Sequence, residues 1–123
     1  MNKFWLLPIA AMLLSGCGAS GYKRHLDNAY EAYADGDCAQ VITELSRTER
    51  LIRSRPYLQP EISLLRGQCL ERQGFYLDAI QIYRFMLDTH PKSEYSYRAA
   101  ARLETLRQLG HYDPERPIPP VAD

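Results

Sequence analysis

Neither sign of charge is in surplus: fifteen Lys and Arg face fifteen Asp and Glu, so the formal net charge is zero. A nucleic-acid binder carries excess cations to neutralise phosphates, and this balance argues against that function. Long apolar runs are scarce too. The run Phe4–Leu14 has eleven residues, well short of the roughly 20 that a helix needs to cross a bilayer, so a multi-span membrane protein is ruled out. Chemistry-bearing patterns are equally thin. There is no Cys-x-x-Cys pair, no Gly-rich phosphate loop and no serine in a nucleophile-elbow setting. The three histidines, His25, His90 and His111, are not grouped with Cys or carboxylates at metal-ligand spacing. His90 falls at a predicted helix end, where a cation suits the dipole. The sequence therefore points away from an enzyme, a metal site and a cofactor. What is there is ordinary globular material: 123 residues, 46% hydrophobic and 24% charged, enough for one domain at most.

The amino end carries an address. Lys3 supplies a positive start, and Phe4–Leu14 has the length of a signal-peptide core. It ends in Leu14-Ser15-Gly16-Cys17. These residues resemble the bacterial lipoprotein lipobox, in which a long apolar residue and two small ones precede an obligatory Cys. The small residues let an extended backbone enter a peptidase cleft, and the thiol accepts a diacylglycerol. The resemblance implies a signal peptide over residues 1–16, cleavage before Cys17, and acylation of Cys17, with palmitate or similar chains as the anchor. Several acyl chains hold firmly where one is marginal. Gly18 stands after the Cys where Asp could stand. By resemblance to enterobacterial lipoproteins, that implies sorting to the outer membrane, facing the periplasm. Residues 17–21 would be the lipidated Cys and a tether. Gly18 to Gly21, small and flexible, reach about 13–14 Å when extended, which keeps the folded part and its partners near the bilayer.

Processing would leave Cys38 and Cys69, an even pair in a compartment that permits disulfides. Free thiols with redox work are the alternative, but these cysteines lie 31 residues apart rather than in a redox motif. A structural bridge is expected, contributing roughly 3–4 kcal/mol on the chain-entropy model.

Two segments superpose. Ala29 is followed seven positions later by Gly36, and Gly67 by Gly74; five positions beyond each Gly comes a modest apolar residue and then Ile, as Val41-Ile42 and Ala79-Ile80. Physically this reads as a helical hairpin. Small residues let two helices approach, each Gly ends the first helix in the left-handed region, and Asp37 with Gln40 reads as a capping box. Residues 60–93 resemble a tetratricopeptide repeat, with Gly67, Gly74, Tyr76, Ala79, Tyr83 and Pro91 on its small, Gly, aromatic, Ala, aromatic and Pro positions. Ser63 and Met86 depart from the pattern. The unit over residues 22–55 is more degenerate, with Cys38 at the aromatic position and Arg53 at the terminal Pro.

The expected fold is therefore all-α, a solenoid of two helical hairpins and a closing helix. Residues 22–110 form the helical domain, with helices over 22–35, 38–54, 60–73, 76–90 and 93–109. Amphipathic spacing puts Val41, Ile42 and Leu45 on one core stripe, and Ala79, Ile80, Tyr83 and Leu87 on another. Pro60 suits a first helical turn and Ser93 an N-cap. Residues 111–123 form a Pro-rich tail, extended from Asp113 onward, where four of eleven residues are proline. Antiparallel packing would bring Cys38 and Cys69 together.

In tetratricopeptide proteins the first helix of each pair lines a groove for a peptide or a partner's helix. The resemblance carries that role onto Lys23, Leu26, Tyr30 and Tyr33 from the first unit. From the second it selects Glu61, Leu64, Gln68, Glu71 and Arg72, with Tyr97 from the closing helix. Tyrosine, present nine times against three Phe, suits interfaces because it joins a large apolar body to a polar tip. The alternative for Tyr30 or Tyr33 is simple packing between helices. A second candidate is the basic stretch Arg47, Arg50, Arg53 and Arg55, which reads as a solvated face or as a contact for cell-wall carboxylates or anionic lipid. Pairs such as Glu49 with Arg53 read as solvated helix charges. The expectation is a non-enzymatic adaptor in envelope assembly that holds another envelope protein near the membrane. Its alternative is a direct peptidoglycan or anionic-lipid binder.

Overall fold

The computed structural model describes residues 17–116. The signal-peptide reading of residues 1–16 and the tail beyond residue 116 lie outside the described residues. Among the described residues five α-helices follow one another: α1 Cys17–Ala34, α2 Cys38–Leu51, α3 Gln59–Arg72, α4 Tyr76–Thr89 and α5 Glu94–Gln108, with a 3-10 turn, Pro56–Leu58, before α3. No strand occurs among the described residues. Each helix packs on the next, and α3 also meets α5. The fold is all-α, and this stacking is that of a helical-repeat-like solenoid.

The turns show why the chain reverses where it does. Gly36 and Gly74 have φ of 77° and 81°, a region that costs other residues strain. Around each, the amide just after the glycine closes back on the helix: Asp37 N–H donates to the Ala32 carbonyl and Phe75 N–H to that of Leu70, both at 2.9 Å. His111 N–H repeats the closure on Leu106 at 2.8 Å, so the same stop ends α5. Asp37 caps α2 by accepting from the Gln40 amide at 3.0 Å. The reciprocal half of the expected capping box is not made, because the Gln40 side chain donates to Glu44 at 2.9 Å instead. Ser93 caps α5 by accepting from Tyr95 N–H at 3.2 Å.

Two apolar clusters form the core. Leu26, Ala29, Val41, Leu45, Ile62 and Leu65 make the first; Leu64, Ala79, Ile80, Tyr83, Leu103 and Leu106 belong to the second. Helix α3 supplies both, so it is apolar on two sides, as the middle helix of a stack must be. Cys38, the first residue of α2, and Cys69 in α3 stand at disulfide distance with Cα atoms 5.4 Å apart, as antiparallel packing requires.

Three boundaries differ from expectation. Helix α1 starts at Cys17, so the residues read as a tether are helical, and the last of them, Gly21, sits beside Leu51 of α2. Helix α2 stops at Leu51 rather than 54, because Ile52 turns back into the core and is buried. The tail is not extended over its described part. Asp113 accepts from the amides of Glu115 at 3.0 Å and Arg116 at 3.1 Å, which closes a turn. His111 stacks on Tyr76 with ring centroids 3.7 Å apart.

Candidate functional site

Alternate helices share a face in this stack, and side chains of α1, α3 and α5 meet there in two groups. In the first, Tyr30 Oη donates to Glu61 at 2.7 Å. Burial, and then the Glu61 carboxylate, push the Tyr30 phenol above its ordinary range, and Tyr95 and Arg98 of α5 also act on it. Tyr95 is raised in the same way, first by burial and then by Glu61 and Glu94. The Arg98 guanidinium lies 5.6 Å from the Tyr95 ring centroid.

The second group surrounds a cleft of about 210 Å³ lined by Tyr33, Gln68, Glu71, Arg72 and Arg102. Arg72 lies 3.5 Å over the Tyr33 ring and donates to the Tyr33 carbonyl at 2.7 Å. Arg102 grips Glu71 with two hydrogen bonds, Nη2 to Oε1 at 2.6 Å and Nε to Oε2 at 3.0 Å. Tyr83 Oη donates to the same carboxylate. The Glu71 bond keeps the Arg102 guanidinium firmly charged, against the opposing effect of its burial. Burial and the same carboxylate push the Tyr83 phenol above its ordinary range.

Seven of the ten groove residues read from sequence, Lys23, Tyr30, Tyr33, Glu61, Gln68, Glu71 and Arg72, are exposed or half-buried along α1 and α3. Leu26 and Leu64 do not belong on a groove wall. They are buried in the two core clusters, since the apolar side of each helix turns inward. Tyr97 is 68% exposed but points elsewhere. It sits about 200° round the helix from Tyr95, whereas Arg102 bonds to Glu71 of α3 and Tyr95 and Arg98 act on Tyr30 beside Glu61. Reading α5 at positions i, i+3 and i+7 selects those three; the repeat resemblance, which gave Tyr97, misses them. The resulting face carries tyrosines and paired charges with little aliphatic surface.

The basic stretch is divided. Arg47 donates to Glu44 at 3.0 Å, Arg50 and Arg53 are exposed, and Arg55 lies 5.3 Å over the Tyr22 ring. Glu49 does not pair with Arg53. It accepts from Arg66 and, at 3.0 Å, from Gln59, because α3 crosses α2 beside it. Burial opposes ionisation of Glu49, yet those two bonds hold its carboxyl below the ordinary range.

Sequence reasoning also missed Glu44, a buried carboxylate in α2. It accepts from His25 Nδ1 at 2.6 Å, Gln40 at 2.9 Å and Arg47 at 3.0 Å. Burial opposes ionisation, but the His25 bond and the Arg47 charge outweigh it and hold the carboxyl low. His90 ends α4 and its Nδ1 meets Thr89 Oγ1 at 2.9 Å. Among the described residues, no three His, Cys, Asp or Glu are grouped to hold a metal ion, and no helix is long and apolar enough to cross a membrane. No protein-family model, curated protein or solved structure matches this chain.

Proposed function

We propose that this chain is a membrane-tethered, non-enzymatic adaptor built on tetratricopeptide-like hairpins, whose α1/α3/α5 face holds a peptide or helix of another envelope protein. The observation that carries this reading is the joining of three sequence-distant helices by Tyr30–Glu61, Tyr33–Arg72 and Glu71–Arg102, with Tyr30 and Arg72 left exposed at the surface. Tyrosine and arginine are the residue types on which binding energy concentrates at protein interfaces. The anchor in this reading is an acylated Cys17, supported by Leu14-Ser15-Gly16-Cys17, and the site is the periplasmic side of the outer membrane. The ligand is a protein segment that offers carboxylates and apolar side chains to the Arg and Tyr groups.

Labelled palmitate should incorporate into the wild-type chain and not into Cys17→Ser. Crosslinking and pull-down from native membranes should capture a partner whose yield falls at least about tenfold in Tyr30→Ala with Arg72→Ala, a loss of about 1.4 kcal/mol or more. Gln108→Ala, on the exposed side of α5, should leave it unchanged. An unchanged catch in the Tyr30/Arg72 variant rejects the face.

A further inference from the structure

Antiparallel packing of α1 on α2 unites two stretches that the sequence keeps well apart. Gly21 sits beside Leu51, and Arg55 stacks over Tyr22. The first turns of α1 therefore lie against the end of α2, and Lys23, Arg24, Arg50, Arg53 and Arg55 gather at one end of the hairpin. All but Arg55 are exposed. The carboxylate in those last turns of α2, Glu49, is engaged by Arg66, and Asp27 lies a turn further along α1. The opposite end of the hairpin carries exposed Glu31, Asp35 and Asp37. A chain of zero net charge thus has a first hairpin that is basic at one end and acidic at the other.

Apolar groups accompany the cations. Tyr57 is 70% exposed and Leu51 41%, and tyrosine is a residue type that settles at the headgroup level of a bilayer. The α2 dipole accounts for cations in the last turn of that helix. It does not account for Lys23 and Arg24, which sit in the second turn of α1 near its positive end. The basic end is also the end at which α1 begins, at Cys17, the residue proposed above as the membrane anchor.

We infer that this end of the α1–α2 hairpin is a docking surface for an anionic phospholipid membrane, with Arg50 and Arg53 at headgroup phosphates and Tyr57 among the headgroups. The inference rests on the membrane tether proposed above and adds an orientation to it: the hairpin stands with its basic end down, and the acidic turn at Gly36 faces away. Each cation near such a surface strengthens docking about fivefold, and salt screens the effect.

The test uses the full mature chain purified from membranes with Tyr57→Trp; the sequence's one other tryptophan, Trp5, leaves with residues 1–16 in this reading, so a single tryptophan reports from an exposed position. Vesicles of neutral phosphatidylcholine, or rich in phosphatidylglycerol, carry brominated acyl chains; flotation reports attachment and quenching reports contact. Quenching should be strong on anionic vesicles and weak on neutral ones, and should be lost at high salt. Arg50→Gln with Arg53→Gln should weaken docking about 25-fold. Equal quenching on both vesicle types, with the chain floating on both, overturns the inference and leaves the tether standing. Flotation on anionic vesicles alone supports the inference and rejects the tether. Flotation on neither rejects both. Capture by purified cell wall without any lipid quenching overturns the inference in favour of wall carboxylates. Should Tyr57→Trp disturb the helical circular-dichroism signal, hydrogen exchange on the unsubstituted chain decides the matter. Slowed exchange over residues 52–58 on anionic vesicles supports docking, and unchanged exchange overturns it.

Discussion

The ring of Tyr83 occupies the space that Gly67 leaves by having no side chain; a Cβ at residue 67 would overlap the Cε1 and Cζ atoms of that ring. Tyr83 cannot swing aside, because it is fully buried and its hydroxyl is tied to Glu71. The closeness of α3 and α4 depends on this pairing. Gly67→Ala should therefore destabilise the fold by about 1–3 kcal/mol through overpacking, despite alanine's better helix propensity. Urea denaturation of the two proteins checks it, and an unchanged midpoint would show that α4 yields without cost.

The bridge between Cys38 and Cys69 closes a loop with a sequence separation of 31. Replacing both by Ala should cost about 3–4 kcal/mol on the chain-entropy model. For a domain near 100 residues, each kcal/mol lowers Tm by about 4–8 °C. Thermal melts with and without reductant should show the same fall in the wild type and none in the double variant.

Glu44 makes acid stability testable. Its carboxyl is held below the ordinary value of 4.5 in the folded protein. The stability it contributes is therefore fully present above the unfolded value and is lost as pH falls through the depressed folded one. Acid melts should show a decline below about pH 4.5 that Glu44→Gln makes shallower, at a cost near neutrality of about 1–3 kcal/mol from the weakened contacts of His25 and Arg47. Glu49 contributes to the same decline, so the slope should shrink without vanishing. Glu104 is the contrast. Its carboxyl is drawn down to about 2 by hydrogen bonds from Arg107 and then Gln108. Because this group is open to solvent, Glu104→Gln should leave the melting temperature unchanged within error.

Arg102 and Glu71 form a two-pronged contact between α5 and α3. Arg102→Lys keeps the charge and forfeits the fork. It should lower stability by about 1 kcal/mol, since Glu71 is nearly buried but Arg102 is half-open to water. Chemical denaturation, with Glu71→Gln completing a double-mutant cycle, separates the pair from the Tyr83 contact that Glu71 keeps.

Much of the backbone was legible because the signals are local. Gly36 and Gly74 supply the left-handed residue that ends a helix, Asp37 and Ser93 cap the helices that follow, and apolar spacing shows which side of α2 and α4 turns inward. The start of α1 was not legible. Gly18 to Gly21 are poor helix formers by composition, and Leu51, beside which Gly21 packs, lies thirty residues further on. The groove was legible in part for a related reason. Choosing residues by repeat position found Tyr30, Tyr33 and Arg72, but it counted Leu26 and Leu64 as surface when their apolar side chains had a core to enter. On α5, the repeat resemblance pointed to Tyr97, whereas rotation about the helix axis placed Tyr95 on the shared face.

By itself the sequence determined that five helices form and where the glycine turns break them, because turn glycines, caps and amphipathic spacing act within a few residues; the approach of Cys38 to Cys69 needed the antiparallel packing as well. Tertiary packing alone decided which charges meet. It gave Glu49 to Arg66 rather than Arg53, Glu44 to His25, and Glu71 to Arg102, and it gathered the cations of α1 and α2 at one end. Electrostatic and hydrogen-bond partners are set by distance in space, and in a stack of antiparallel helices the nearest charge commonly sits on the neighbouring helix.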